Sequence, residues 1–551
     1  MNNLSGGAQK REYIFAALVL LLLHVIFLKD VLCLLPLNNF DELMYLGLSA
    51  VPRFPMVDWG PIYVCWYRVL RFFFQNSVAV FYCNAAIVTT GLSFSTFILL
   101  ARLKTTAIFS LLGGAWVLFS LTNLPLLPKI NHYNTIAIIA LMIFIMGLSW
   151  NRAEKCLFAA VALLGLCYLR QDNLIPAGEF FIMGIYFFRK EKIENSRKFL
   201  FSILFSQIIF LFLFYSPFGD RAWNAFTDHF LWEEQKNRPS LTREYVRSVL
   251  FADSNNIFSA AMSKPAQILL YGLKNLSDFF CAKFVYALTS HFSIFSFFKK
   301  SRNFSYSILE LLVPANLIFF WGVYKFRCWK NFPPMELVRR IKASPLFLIW
   351  LIFAIKTLII VFFMTPSERY FLDFIILTIV LVLTICARIV PRMPGFLLLG
   401  FSVFLIAQCP GLSDESIKNY FSDGKQAEFK KTLFFLQKNI SSADVVWGGV
   451  EYTGYTKLKN SYWVLSYPEH LREQFSLKEF LHDLFLKRVN LIIVGKGDLE
   501  ILADNLSSAS FEIMKSCLLH LENTGCIIRQ EAPASIQFYK VDRACAERAG
   551  W

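Results

Sequence analysis

The sequence predicts a polytopic α-helical membrane protein with a small α/β domain at its C-terminal end. Of the 551 residues 56% are hydrophobic and 17% are charged, whereas a soluble domain carries nearer a quarter of charged residues. Apolar runs close to the 20-residue length that crosses a hydrocarbon core recur about eleven times. In the last 140 or so residues, helical patterns alternate with β-rich runs, as in a compact α/β domain.

The apolar runs define the predicted membrane spans in chain order. They cover residues 13–35, 78–101, 105–122, 133–150, 155–169, 173–189, 198–217, 306–325, 345–364, 371–390 and 394–410. With the N-terminus in the cytoplasm, every second connecting loop is basic, for example "RKEKIENSRK" and "KFRCWKNFPPMELVRRIK". Short basic loops of this kind mark the cytoplasmic side. The prediction is therefore a multi-pass protein of the bacterial inner membrane with its C-terminal domain outside the cytoplasm.

Three segments then lie on the outer face: residues 36–77, 216–305 and 411–551. The run "FFCAKFVYALTSHFSIFSFF", residues 279–298, is apolar enough to span. Counting it as a span would place the strongly basic 325–342 loop outside, so we interpret it as re-entrant or interfacial. The predicted domains are a transmembrane domain over residues 1–410 and an α/β domain over residues 411–551.

The net charge of +16 does not indicate nucleic-acid binding, because the basic residues cluster in the short loops where orientation signals lie. The first apolar run is too long for a signal peptide that is removed. Most of the 12 cysteines fall inside apolar runs, where cysteine behaves as a small hydrophobic residue. The three in the tail, Cys517, Cys526 and Cys545, predict neither a disulfide framework nor a zinc site, because they are odd in number and lack ligand spacing.

The tail has the composition of an α/β domain. Helical patterns occur in "QAEFKKTLFFLQKN" and "SLKEFLHDLFLKR", and strand patterns in "ADVVWGG", "VNLIIVG", "CIIRQ" and "SIQFYKV". Its glycine stretches "GGVEYTG" and "GKGD" lack the glycine spacing of phosphate-binding loops. No nucleotide site is predicted there.

Two adjacent carboxylates, Asp41 and Glu42, follow the first predicted span directly. Acids in an outer loop are most often solvated charges. Here they are followed by the amphipathic stretches "LMYLGLSAV" and "VDWGPIYVCWYRVLRFF", which are typical of segments that lie along a membrane interface. The chain is thus predicted to leave the membrane, run along its surface with the two acids at a cavity, and enter again.

This pattern resembles the first extracytoplasmic loop of GT-C glycosyltransferases, in the branch of the protein O-mannosyltransferases and the aminoarabinose lipid A transferases. That loop has an Asp-Glu pair and a tyrosine, matched here by Asp41, Glu42 and Tyr45, before a "PPLY"-like motif, which reads "GPIY" at residues 60–63. "TPSERYFLDF", residues 365–374, looks like the family's Arg-Tyr motif, and "GLCYLRQDNLIP" resembles a helical turn that faces the same cavity. Because "GPIY" lacks the double proline, the resemblance is to the broader GT-C family and not to the aminoarabinose lipid A transferases in particular.

The resemblance implies a reaction and roles for particular residues. Members transfer a sugar from a polyprenyl-phosphate carrier to an acceptor hydroxyl on a glycan, lipid or protein, with inversion at the anomeric carbon. Asp41 would be the base and Glu42 its helper. The residues expected to bind the donor and its phosphate are Arg369, Tyr370, Lys356, Arg170, Arg53 and Tyr45. No cofactor and no metal are expected, and the partners are membrane lipids and the two substrates.

Some of these residues have a second interpretation from the sequence alone. Lys356 lies inside an apolar run, where a charge indicates either a polar cavity or an ion pair with another helix, such as with Glu310. Arg170 can bind phosphate or form a structural pair with Asp172. His132 and His229 are expected to be surface histidines.

Three other function classes remain open. A polysaccharide polymerase or ligase also has many spans and a large outer loop, but would lack an Asp-Glu pair after its first span. A secondary transporter would show duplicated halves and mid-span charges, and the sequence shows no duplication. A non-catalytic membrane scaffold is the third alternative.

Overall fold

The computed structural model describes most of the helical regions and part of the tail. The described residues are 7–31, 40–50, 60–119, 129–191, 195–214, 221–235, 245–283, 345–389, 397–400, 402, 424–449, 452, 460–462, 488–495 and 508–545, except residues 75, 252, 253, 255, 367–369, 442 and 543. The chain divides into two compact units. The first comprises Met1–Leu35, Ala85–Phe230 and Asn256–Tyr420, and the second comprises Pro36–Asn84, Leu231–Asn255 and Phe421–Trp551.

The described part of the first unit is helical. In chain order its helices are α1 (Gly7–Val31), α4 (Ser77–Arg102, which begins in the second unit), α5 (Ala107–Phe119), α6 (Lys129–Gly147), α7 (Arg152–Gly165), α8 (Leu174–Phe188), α9 (Asn195–Phe214), α10 (Arg221–Gln235, which ends in the second unit), α11 (Ile257–Ser263), α12 (Pro265–Asp278), α13 (Pro345–Phe363) and α14 (Leu372–Ile389). A π-helical turn, Phe279–Lys283, follows α12.

Four of the described helices are long and apolar enough to cross a membrane, in the segments Gln9–Leu28, Ser77–Arg102, Ile130–Gly147 and Pro345–Phe363. These overlap four of the predicted spans, 13–35, 78–101, 133–150 and 345–364. The chain is thus predominantly helical and has helices suited to a membrane. The count of eleven spans stays a prediction, and the predicted span 306–325 and most of the 279–298 segment lie outside the described residues.

Helices α7 and α8 overlap the predicted spans 155–169 and 173–189, and together they form a hairpin. They contain 14 and 15 residues, which correspond to about 21 and 22 Å at 1.5 Å per residue, less than the roughly 30 Å of a hydrocarbon core. Two short 3₁₀ turns, Leu166–Tyr168 and Gln171–Asn173, connect them. The turn has the polar sequence "RQDN", so the apolar run of α7 ends there and a second apolar run begins in α8.

Close packing holds the hairpin together. A Cβ atom built on Gly184 of α8 would lie 2.8 Å from Leu157 Cδ2 and 3.3 Å from the Leu157 backbone nitrogen of α7. The glycine therefore lets the two helices approach more closely than a larger residue would allow. Asn151 begins α7 with a capping box in which its side chain accepts from the Glu154 N–H and the Glu154 carboxylate accepts from the Asn151 N–H. The buried Glu154 also forms an ion pair of 2.5 Å with Arg197 of α9.

The second unit contains two short helices near the N-terminus, α2 (Phe40–Ala50) and α3 (Pro61–Phe73). Gly60 precedes α3 with φ 61°, a left-handed conformation that glycine adopts without strain. Pro61 occupies the first helical position, where its missing N–H removes no helical hydrogen bond. The "GPIY" motif is thus the start signal of α3.

In the described residues of the tail, the second unit contains a five-stranded sheet and two helices. The strands are β1 (Val445–Gly448), β2 (Asn460–Tyr462), β3 (Leu491–Gly495), β4 (Ile527–Gln530) and β5 (Ile536–Val541), and the helices are α15 (Gly424–Asn439) and α16 (Ser508–Asn523). The strand order is β2-β1-β3-β5-β4. Strands β1, β2 and β3 are parallel, and β5 runs antiparallel to β3 and to β4. The four β-rich runs of the sequence became β1, β3, β4 and β5.

A disulfide joins Cys526, just before β4, to Cys545 near the end of the described chain. Their Cα atoms are 5.0 Å apart, within the usual range for a disulfide. The expectation that the tail has no disulfide is therefore wrong. The odd number of tail cysteines is explained by Cys517, which is free and buried in α16.

Candidate functional site

The predicted site residues fall into two groups, one in each compact unit, and each group is described by itself. Asp41, Glu42 and Tyr45 lie on α2 in the second unit. Arg170, Lys356 and Tyr370 lie in the first unit. Arg53 and Arg369 lie outside the described residues, as does the side chain of Asp41.

Glu42 is the centre of a buried hydrogen-bond network. Its carboxylate has no solvent exposure and accepts hydrogen bonds from two tyrosines of α3. The hydroxyl of Tyr63 lies 3.1 and 3.2 Å from its two oxygens, and the hydroxyl of Tyr67 donates to Oε2. Hydrogen bonds to a charged acceptor are about twice as strong as those between neutral groups, so this network fixes the carboxylate firmly.

Asn84 of α4 orients the two tyrosine hydroxyls. Its Nδ2 donates to the hydroxyl of Tyr63 at 2.7 Å and to that of Tyr67 at 2.9 Å. Its Oδ1 accepts from Trp66 Nε1 at 2.8 Å. Because each hydroxyl oxygen accepts from the amide, its own proton is available for Glu42.

The electrostatics agree with this arrangement. Burial, and then the nearby charge of Glu42, raise the pKa of Tyr63 well above its usual value. Tyr63 therefore stays protonated and remains a donor at any physiological pH. Tyr63 ends the "GPIY" motif, but the hydrogen bonds of Tyr63 and Tyr67 to Glu42 were not predicted, because both tyrosines look like ordinary core residues of an apolar helix.

The other end of α2 is held by Arg71 of α3. Its Nη2 donates to the Leu46 carbonyl at 2.9 Å, and its Nε donates to Ser49 Oγ at 2.7 Å. Its Nη1 also donates to Ser77 Oγ, at 3.1 Å. A cation near the C-terminal carbonyls of a helix is stabilising. Helix α2 is thus fixed to α3 near both of its ends.

Tyr45 does not line an open site. It is buried in the described structure and its ring meets the Tyr63 ring edge-on, with centroids 5.0 Å apart. Edge-on aromatic pairs of this kind stabilise packing. Tyr45 is thus part of the α2–α3 interface, and its predicted contact with substrate stays a prediction.

The second group is a cluster of four charged residues, which we name the charge quartet: Arg170, Asp172, Lys356 and Asp373. Lys356 Nζ lies 2.5 Å from Asp373 Oδ2 and 3.1 Å from Asp172 Oδ2. Arg170 Nε lies 2.9 Å from Asp172 Oδ1. The alternative that Lys356 pairs with an acid of another helix is therefore the one observed, with Asp373 of α14 and with Asp172 of the hairpin turn; Glu310 lies outside the described residues.

The quartet is neutral in sum, with two cations and two carboxylates. Burial alone would raise the pKa of Asp172, but the charges of Arg170 and Lys356 outweigh burial and hold that pKa well below its usual range. Burial likewise opposes the charge of Arg170, yet the negative charge of Asp172 raises the pKa of the guanidinium. Arg170 and Asp172 are thus ionised. They form the ion pair with each other that the sequence analysis gave as the alternative to phosphate binding by Arg170.

A small polar cavity lies beside the quartet. Its lining consists of Asn131, Asn134, Thr135, Arg170, Asp172, Lys356, Tyr370, Leu372 and Asp373. Its volume of about 10 Å³ is what a single water molecule needs. Lys356 and Arg170 therefore line this cavity together with the two aspartates that pair with them.

Tyr370 connects the quartet cavity to α10. Its hydroxyl lies 2.8 Å from His229 Nε2, and the Thr365 hydroxyl donates to the His229 carbonyl at 3.4 Å. His229 is buried, as is His132 of α6, so the expectation that both are surface histidines is wrong. His229 was expected at the surface because its neighbours in "TDHFLWEEQ" are largely polar.

Among the residues that the structure describes, no group of three or more histidine, cysteine, aspartate or glutamate side chains has an arrangement that could hold a metal ion. No protein-family model matches the chain, and no curated protein matches it.

Proposed function

We propose that the chain is a membrane glycosyltransferase that moves a sugar from a polyprenyl-phosphate carrier to an acceptor hydroxyl at the outer face of the membrane, with inversion. The observation that carries this proposal is the acid pair in the first turn of α2, of which Glu42 is held by a buried hydrogen-bond network. Glu42 is buried and held by Tyr63, Tyr67 and Asn84, and its neighbour Asp41 shares the same first helical turn. Groups that take part in catalysis are best placed on such rigid elements.

Asp41 is the base in this proposal. The acceptor oxygen attacks the anomeric carbon and gives its proton to the Asp41 carboxylate, while the bond between that carbon and the phosphate oxygen breaks. Polyprenyl phosphate leaves with the bonding electron pair. A single displacement of this kind needs one base and inverts the configuration at carbon.

Glu42 acts indirectly. Because its oxygens already accept hydrogen bonds from two tyrosines, we assign it the role of fixing the first turn of α2, and with it the backbone position of Asp41. Two adjacent acids in the first turn also suit the positive end of the helix dipole.

The leaving phosphate requires a cation. Lys356 and Arg170 are compensated by Asp172 and Asp373, which weakens their case as phosphate ligands. Arg369 and Arg53 remain the proposed donors to the phosphate, since a guanidinium offers two parallel N–H groups to phosphate oxygens. Tyr370 adjoins Arg369 in the sequence and would adjust to the bound donor.

Two observations support placing the reaction outside the cytoplasm. The second compact unit is assembled from Pro36–Asn84, Leu231–Asn255 and Phe421–Trp551, each of which falls almost entirely within one of the three segments expected on the outer face. It also contains the Cys526–Cys545 disulfide, and disulfides persist in oxidising compartments outside the cytoplasm. We therefore retain the proposal of eleven spans, an inner N-terminus and an outer C-terminal domain.

The test is transfer by purified protein in lipid nanodiscs. Asp41→Asn should abolish transfer while the variant keeps wild-type expression and unfolding. Glu42→Gln should retain partial activity, because the amide oxygen still accepts one tyrosine hydrogen bond. Glu512→Gln is the matched control, since this carboxylate is exposed on α16. Near-normal turnover by Asp41→Asn would show that the base is assigned wrongly.

The donor class is tested separately by offering a polyprenyl-phosphate sugar and a nucleotide sugar to the same preparation. Transfer is expected from the first. Arg369→Ala should reduce use of that donor about 10- to 150-fold, since a hydrogen bond to a charged group contributes about 1.5–3 kcal/mol. Arg369→Lys should restore part of this loss. Transfer from the nucleotide sugar alone would refute the proposal.

One observation favours a second candidate, a secondary transporter. The charge quartet lies beside a polar cavity with Lys356 in the middle of α13, and ionisable residues inside a membrane domain often mark a transport path. Proteoliposomes distinguish the two: solute uptake that depends on Lys356, without any glycosyl transfer, would establish the transporter.

A further inference from the structure

The cavity beside the charge quartet is also lined by one face of α6. Asn131, Asn134 and Thr135 follow the i, i+3, i+4 spacing that places side chains on the same side of a helix, and all three are buried. Among the described residues of the lining, Leu372 is the only apolar one. Burying polar groups is costly unless they are hydrogen-bonded, so the partners of these side chains indicate what the cavity can bind.

Two of the three side chains of α6 are hydrogen-bonded within the protein. Asn173 Nδ2 donates to Asn134 Oδ1 at 2.7 Å, and Asn134 Nδ2 donates to Asn173 Oδ1 at 3.3 Å. The Thr135 hydroxyl donates to the Asn131 carbonyl at 2.9 Å. The third side chain differs, because Asn131 Oδ1 is buried and accepts no hydrogen bond from any residue that the structure describes. With an exposed fraction of 4% for Asn131, bulk water does not supply the missing donor.

A second acceptor belongs to the same lining. Asp172 Oδ2 is buried and lies 3.1 Å from Lys356 Nζ. A carboxylate oxygen has two lone pairs and accepts more than one hydrogen bond, so Asp172 can accept from a further donor. Together with Asn131 Oδ1, the lining therefore presents hydrogen-bond acceptors to whatever group occupies the cavity.

The charge of the lining limits the chemical class of that group. The two cations and two carboxylates of the quartet sum to zero, so neither a phosphate nor an ammonium group meets a net opposite charge. Each would be repelled by one pair of charges as well as attracted by the other. An uncharged group that donates a hydrogen bond avoids this conflict. The volume of about 10 Å³ admits one group of the size of a hydroxyl or a water molecule.

We propose that the cavity is a hydroxyl-binding site, in which an uncharged O–H group donates a hydrogen bond to Asn131 Oδ1 and Asp172 Oδ2 accepts any second O–H proton. Two sources supply this chemistry: a hydroxyl of the substrate sugar, or an ordered water molecule. Only the sugar source rests on the proposed function. In that case Asn131 determines specificity, because a site that hydrogen-bonds a substrate hydroxyl discriminates strongly against an analogue that lacks it.

The site is tested first without any reaction. The full-length protein in nanodiscs is imaged by electron cryo-microscopy at a resolution that shows ordered water, without substrate and with an added polyprenyl-phosphate sugar. Wild type is compared with Asn131→Leu, which keeps a branched side chain but offers no acceptor. Asn439→Leu is the matched control, because Asn439 is exposed on α15.

The expected result is density for an oxygen about 2.5–3.0 Å from Asn131 Oδ1 in wild type and in the control, and its loss in Asn131→Leu. A wild-type cavity that is empty under both conditions would overturn the proposal. Density that contacts the quartet but lies beyond hydrogen-bond distance of Asn131 would overturn it as well. The wild-type maps decide the question even if Asn131→Leu fails to fold.

Transfer kinetics then distinguish the two sources. If the group is a sugar hydroxyl, Asn131→Leu should lower kcat/KM for the donor about 2- to 13-fold, which corresponds to the loss of one neutral hydrogen bond. A donor with hydrogen in place of that hydroxyl should be used equally well by wild type and Asn131→Leu. If the density persists unchanged with the donor bound and kcat/KM is the same, the group is water and the sugar source is refuted. Absence of transfer from every lipid-linked sugar would refute the proposed function alone, because the maps without substrate test the site independently.

Discussion

Replacing Lys356 by methionine removes an ammonium group that lies 2.5 Å from Asp373 and 3.1 Å from Asp172. Arg170, already paired with Asp172 at 2.9 Å, is then the remaining quartet cation for two carboxylates. Breaking a buried ion pair from one side costs about 3–5 kcal/mol, and we expect about 3 kcal/mol because Arg170 remains. Equilibrium unfolding in mixed micelles, followed by tryptophan fluorescence, measures the loss.

A second substitution tests the electrostatic origin of this loss. In Lys356→Met/Asp373→Asn the unpaired carboxylate is also removed, so the double variant should recover about 1–3 kcal/mol relative to the single one. Lys515→Met is the matched control, because its pair with Glu512 is exposed and such pairs contribute at most about 1 kcal/mol. If Lys356→Met kept wild-type stability and instead raised the KM for the donor, Lys356 would be a substrate ligand and the quartet would not be a structural cluster.

Three further predictions concern the hairpin, the quartet and the tail. Gly184→Val should destabilise the protein by about 1–3 kcal/mol because it overfills the α7–α8 contact. Gly178→Val, on the same helix but with open space around it, should not. Equal losses of stability for the two variants, measured by unfolding in micelles, would contradict this. Folding lowers the pKa of Asp172. The ionised carboxylate therefore contributes its full stability above the ordinary aspartate pKa of about 3.9, and this contribution is lost as the pH falls below that value. The difference in unfolding free energy between wild type and Asp172→Asn should shrink from pH 5 to pH 3. In protein isolated without reductant, Cys526 and Cys545 should react with a maleimide only after reduction, and labelling beforehand would exclude the disulfide.

The sequence predicted helices best where composition alone determines them. Spans 78–101 and 345–364 correspond to α4 and α13 within one residue at each end, because long apolar runs have few other stable arrangements in a membrane. The contacts of the hairpin were not predicted. The runs 155–169 and 173–189 correspond to α7 and α8, but the ion pair between Asp172 in their turn and Lys356 is a tertiary contact that local composition does not show.

The site was predicted unevenly for the same physical reason. Residue type and position singled out Glu42 and Lys356, because acids and lysines are costly near or within a membrane. Their partners were missed, because Tyr63, Asn84 and Asp373 become significant only when separate helices bring them together. Pairing of this kind depends on three-dimensional contact, which a single sequence does not reveal.

The zero net charge of the quartet has an electrical consequence for a protein in an energised membrane. Moving one elementary charge across the membrane potential changes the free energy by about 2.3 kcal/mol per 100 mV. The quartet joins α13, α14 and the α7–α8 turn through two cations and two carboxylates, so a shift of the cluster as a unit carries no net charge through the field. The wild-type protein should therefore be insensitive to voltage at this point, whereas Lys356→Met would leave a charge of about −1 there and make the conformational balance depend on the membrane potential.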